Sequence, residues 1–163
     1  MKLLQEIMGY IKNKDTDGFI ELADKNPEVL VVTDRDGNSP LHYACALQAD
    51  EIALFLVKEG LDLNVKGSGN LTAFELYINN CFTKDTTNSG LIRYKFDVVK
   101  TFLKYGAFVN NDTIKDFKRL QRIHPGSQTS YKPMLDLLAK TARTQNDRNW
   151  KKPKRPNPRP PKM

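Results

Sequence analysis

The stretch Asp34-Arg35-Asp36-Gly37-Asn38-Ser39-Pro40-Leu41-His42-Tyr43-Ala44 decides the fold. Moved on by 33 positions, it falls on Gly67-Ser68-Gly69-Asn70-Leu71-Thr72-Ala73-Phe74-Glu75-Leu76-Tyr77. Self-similarity at a fixed period marks a chain built from stacked units. Ser39 pairs with Thr72, and both residue types cap a helix by accepting from an otherwise unpaired amide. Gly37 pairs with Asn70, the two residue types that best tolerate the left-handed backbone of a tight turn. Leu41 pairs with Phe74, two apolar residues suited to one core slot.

The helix expected after each turn repeats as well. Glu51–Lys58 runs into Glu59-Gly60-Leu61-Asp62-Leu63-Asn64, and Asp97–Lys104 runs into Tyr105-Gly106-Ala107-Phe108-Val109-Asn110. The offset is here 46, so 13 residues are inserted within 81–95. Gly60 and Gly106 stand where a helix stops on a left-handed residue. Backwards by 33, Phe19-Ile20-Glu21-Leu22 falls on Ile52-Ala53-Leu54-Phe55.

These residues resemble the ankyrin repeat family, whose unit is a turn followed by two antiparallel helices. Asp34, Gly37, Ser39, Pro40, Leu41, His42 and Ala44 match the family pattern at one repeat. The resemblance implies an all-α solenoid of about four helix pairs with short hairpin turns, covering residues 3–142. Its units are expected at about 3–33 (an N-terminal cap of two helices), 34–66, 67–112 with an inserted loop at 81–95, and 113–142. In the last unit Ile114, Phe117 and Leu120 share a face. A break follows at His124-Pro125-Gly126, then Met134, Leu135, Leu137 and Leu138. Three departures stand in the third unit. Ala73 replaces the proline, Glu75 the histidine, and Tyr77 a small alanine, so nonstandard spacing is expected there.

Composition agrees with one globular domain plus a tail. The 163 residues are 39% hydrophobic, and no apolar run approaches the roughly 20 that a membrane helix needs, which excludes a membrane span. Residues 143–163 hold eight Lys/Arg and one acid, whereas residues 1–142 sum to zero. The sequence therefore presents a neutral domain and a basic tail. The N-terminal segment is no secretory signal, because Gln, Glu, Gly and Lys interrupt it. Cys45 and Cys81 are expected as thiols in a reducing, cytoplasmic setting. Nuclear import through Lys151-Lys152-Pro153-Lys154-Arg155 and secretion into a host cell are the alternatives.

No catalytic constellation is present. Cys45 and Cys81 are 36 positions apart and His42 and His124 are 82 apart, unlike the short pairs of zinc sites, so no metal is expected. In the family, the residue matching His42 bonds backbone between adjacent turns. Gly67-Ser68-Gly69-Asn70 is followed by no phosphate-binding lysine, and the hairpin explains its glycines. Neither an enzyme nor a cofactor is expected.

The resemblance implies protein–protein binding in a concave groove of turn tips and inner helices. Matched by position, the groove residues are Arg35, Asp36, Asn38, Ala46, Leu47 and Lys66 in one repeat. Ser68, Leu71, Asn79 and Asn80 follow in the next. A monomer binding a protein partner is expected. The alternative class acts through the tail, whose five prolines and sparse apolar residues predict an extended, disordered chain. There Trp150, Lys151, Lys152, Lys154, Arg155 and Arg159 would meet nucleic acid or an anionic surface. Arg155-x-x-Pro158-x-x-Pro161 also fits the pattern of proline-reading domains.

Overall fold

The computed structural model describes residues 2–81, 89–123, 128–147 and 151–152. Among them run eight α-helices: α1 (Lys2–Asn13), α2 (Thr16–Lys25), α3 (Pro40–Ala46), α4 (Asp50–Lys58), α5 (Ala73–Cys81), α6 (Ser89–Lys104), α7 (Asn111–Ile123) and α8 (Gln128–Gln145). Each buries one stripe. Ile7 and Ile11 line α1, Phe19, Leu22 and Ala23 line α2, and Ile52, Ala53, Leu56 and Val57 line α4. These are the i, i+3, i+4 spacings of a helix with one apolar face. Fully burying each large aliphatic or aromatic side chain contributes about 1.5–3 kcal/mol.

The helices stack in two layers. α3 packs on α1 and α5, and α5 packs on α7, forming an inner layer; α2, α4, α6 and α8 form the outer one. Leu41 and Phe74 are both buried, as the offset of 33 requires. Gly37 and Asn70 both have positive φ, at 82° and 60°, and so do the helix-ending Gly60 and Gly106, at 79° and 92°.

Caps start the helices. Asp15 accepts from the amide of Gly18 at 3.0 Å to open α2. Thr72 Oγ1 accepts from the Glu75 amide at 3.2 Å, and Glu75 Oε2 accepts from the Thr72 amide at 2.7 Å. This reciprocal capping box explains why a glutamate can stand where the histidine was expected. Tyr77 is also accommodated. Its buried ring stacks on Phe102 with centroids 5.6 Å apart, and Phe74 lies 5.5 Å from the same ring.

Two expected boundaries move. The stretch 81–95 is not all loop, because α5 runs through Cys81 and α6 starts at Ser89. α6 has 16 residues against nine in α4. Much of the insertion extends a helix, since each residue added to a formed helix gains a backbone hydrogen bond. Residues 82–88 lie outside the described residues. The second correction concerns the tail. α8 continues past residue 142 to Gln145, which is buried. The Gln145 amide donates to the Ala107 carbonyl and its oxygen accepts from the Val109 amide, both at 2.8 Å. Two paired backbone groups hold the helix end in the body. The expected break at His124-Pro125-Gly126 lies outside the described residues.

Candidate functional site

Hairpin tips and inner helices carry the residues expected to line a groove, and the start of α7 borders a pocket beside them. Asp34 shapes the first tip. Its Oδ1 accepts from the amides of Asp36 and Asn38 at 2.9 and 2.8 Å, and its Oδ2 accepts from the Tyr43 hydroxyl. That hydroxyl, helped by the Asn38 bonds, lowers the Asp34 pKa to about 2. The second tip closes with Gly67 N donating to the Leu71 carbonyl at 2.9 Å and a bridge between Lys66 and Thr72.

The tips are joined by Asn38, whose Oδ1 accepts from the Ser68 amide at 2.9 Å. A Cβ on Gly67 would lie 2.4 Å from that same oxygen and 3.1 Å from His42 Nε2, so the close approach of the tips requires glycine there. His42 serves mainly its own turn. Its Nδ1 accepts from the Ser39 amide at 3.2 Å, which leaves the ring proton on Nε2. Burial holds its pKa below the ordinary histidine value, against the opposing pull of the Val65 and Leu71 backbones. A buried, neutral imidazole here braces the hairpin.

A pocket of about 230 Å³ opens between the second tip, α5 and α7. Lys66, Leu71 and Asn79 line it, three of the ten groove residues named from sequence. Gly69, Asn70, Glu75, Asn110, Asp112, Thr113 and Asp116 complete it, none of them among the groove residues expected from sequence. Asn110 is fixed by donating to Glu75 Oε1 at 2.6 Å and by accepting from the Thr113 amide at 2.6 Å to cap α7. The signal for these positions was present: Asn110 matches Asn64 at the offset of 46, which carries the groove register into α7.

The other groove residues divide. Arg35, Asp36 and Ser68 are exposed at the tips, and Ala46 and Leu47 are exposed at the far end of α3. Two side chains are committed inside the protein. Asn38 is taken up by Ser68 and Asp34, and Asn80 donates to the Leu76 carbonyl at 2.9 Å. The Asn80 carbonyl also accepts from the Gln48 side chain. Of the tail residues, Lys151 and Lys152 are described and exposed, and Lys152 lies 3.0 Å from Asp62. Trp150, Lys154, Arg155 and Arg159 lie outside the described residues.

Among the described residues that line the pocket there is no histidine or cysteine. The buried thiols of Cys45 and Cys81 sit in the core, where burial pushes both pKa values up and keeps them protonated. Nearby, Lys95 on α6 meets Asp50 on α4 at 2.5 Å with both side chains nearly excluded from water, and its ammonium sits 5.4 Å over the Tyr77 ring. This pair ties two repeats together. Among the described residues no group of three metal-ligating side chains converges, and no helix is long and apolar enough to cross a membrane.

Paired helices in two layers, joined by left-handed hairpin tips, define an all-α solenoid of helical repeats. A family model described as ankyrin repeats (many copies) matches residues 22–76. Residues 22–76 are thus similar to ankyrin repeats, and the all-α architecture is consistent with an ankyrin-repeat fold. No curated protein matches the sequence. Ankyrin repeats are generally protein–protein interaction modules and are typically non-catalytic.

Proposed function

We propose that this protein binds a protein partner in the concave groove, as a monomer, with no cofactor and no reaction chemistry. The observation that carries this reading is the pocket between the second hairpin tip, α5 and α7. It brings together three groove residues chosen by family position, Lys66, Leu71 and Asn79, although they lie on different elements. Its polar lining suits hydrogen bonds to an extended peptide or loop. The rigid supports behind it, the Thr72–Glu75 capping box and the Asn110 cap, fix those groups before a partner arrives, which lowers the ordering cost of association.

Site-specific photocrosslinking in cells tests the proposal. A benzoyl-phenylalanine at Asn79 or Asp116, in the groove, should give a discrete protein adduct. The same residue at Lys58 or Lys100, exposed on the outer helices, should give none. Adducts from the outer positions alone would overturn it.

A further inference from the structure

The neutrality of the body is an average over two opposite halves. Residues 1–83 hold seven bases and thirteen acids, a net charge of −6, whereas residues 84–142 hold eleven bases and five acids, a net charge of +6. The following 21 residues add +7. The solenoid is therefore charged end to end, acidic at α1–α5 and basic at α6–α8.

The positive end has a defined surface. On α7, Lys115, Lys118, Arg119 and Arg122 recur at i, i+3, i+4 and i+7, and all four are exposed. At 100° per residue they fill one arc of the helix, opposite the buried Thr113 and Phe117. Lys115 lies 3.0 Å from Asp112 on the exposed surface, a pairing that contributes little in water. On α8, Lys140 and Arg143 are likewise exposed, opposite the buried Met134, Leu138 and Ala142. Because α7 packs on α5 and α8 packs on α6, the helices' remaining faces turn outward at the last layer of the described stack.

We infer that this basic end is a docking surface for the phosphate backbone of a nucleic acid. Charge complementarity supports it. Lys115 to Arg122 spans about 10 Å of helix, and the same length of duplex carries about six phosphates. The surface also lacks exposed apolar bulk. The exposed large hydrophobic residues among those described are Val31, Leu47, Val65 and Phe108, and none lies on α7 or α8. A helix that enters a lipid interface needs an apolar face to bury there, and Phe117 of α7 is already buried in the body. A hydrated polyanion fits this surface without an exposed apolar face. The acidic half is repelled by the same polyanion, so only the α7–α8 end presents itself, leaving the acid-lined groove pocket free for a protein.

The test uses the full chain, a fluorescein-labelled 20-mer as duplex DNA and as single-stranded RNA, and phosphatidylserine vesicles. Lys118→Gln, Arg119→Gln and Arg122→Gln together are compared with Lys2→Gln, Lys12→Gln and Lys58→Gln, which remove the same charge from exposed sites in the acidic half. The wild-type chain should bind nucleic acid with log affinity falling linearly against log salt. The α7 variant should lose about 2 to 2.7 from that slope, three contacts at about 0.7–0.9 each, and at least tenfold in affinity at low salt. The control should lose neither. Should the triple variant fold poorly by circular dichroism, the single Arg119→Glu change should still cost at least about 0.7 in slope. Equal losses in both triples would mean that net charge alone acts and would overturn the inference. Absence of binding at low salt would also overturn it, as would vesicle binding without oligonucleotide binding.

Discussion

Replacing Lys95 by Met is the most informative perturbation of the scaffold. The ammonium of Lys95 and the carboxylate of Asp50 lie 2.5 Å apart with side chains 5% and 9% exposed, and they join the third unit's outer helix to the second's. Asp50 Oδ1 is buried, and among the described residues Lys95 is the cation that meets this carboxylate. Methionine keeps the stem's volume but leaves a buried, uncompensated carboxylate. Breaking such a pair costs about 3–5 kcal/mol, a large share of the 5–15 kcal/mol typical of a domain. At roughly 3 °C per kcal/mol for a domain of this size, the thermal midpoint should fall by about 10–15 °C. Adding Asp50→Asn removes the stranded charge. The double variant should recover to within about 1–2 kcal/mol of wild type, less the roughly 0.3–1 kcal/mol that an acid contributes in the first turn of α4. Urea titrations followed by circular dichroism give all three differences, and an unchanged slope keeps the comparison two-state. A loss below about 1 kcal/mol for Lys95→Met, or strictly additive losses, would refute the reasoning and place the pair in solvent.

Three further outcomes are expected. Because its folded pKa is depressed to about 2 from 3.8, Asp34 contributes stability above pH 4 that is lost as pH falls toward 2. The contribution is small because Asp34 lies near the surface; an NMR titration of its carboxyl with a midpoint near 4 would contradict the Tyr43 bond. Both thiols should resist a disulfide reagent at neutral pH and react fully in urea, and rapid modification of either in the native protein would contradict their burial. Gln145→Ala leaves the Val109 amide and the Ala107 carbonyl unpaired in the interior, so it should cost about 1–3 kcal/mol. Truncation after residue 149 should cost almost nothing, and equal stability of the Gln145 variant would return that residue to the tail.

Local signals were legible in the sequence. Gly37, Asn70, Gly60 and Gly106 announced left-handed backbone, because that preference belongs to the residue itself. Leu41 and Phe74 announced a shared core slot through their spacing. What escaped depends on partners far along the chain. Lys95 gave no sign of burial, since its counterion is 45 positions away. Gln145 looked like the start of a polar tail because the backbone groups it satisfies lie 36 and 38 positions back. Glu75 looked like a departure from the repeat and is instead a cap with a different donor and acceptor set. Part of the pocket was missed because the groove was followed through two repeats and not into the hairpin-less fourth unit. The charge asymmetry was legible too, but a sum over 142 residues concealed it.

Hydrogen exchange on the complex with the photocrosslinked partner tests the groove most directly. Amides in residues 66–72 and 110–117, at the second hairpin tip and the start of α7, should exchange more slowly in the complex than in the free protein. Those of α4 and of α6 beyond residue 95 should be unchanged. Slowed exchange confined to α4 and α6, with the hairpin tip and α7 unaffected, would contradict the account.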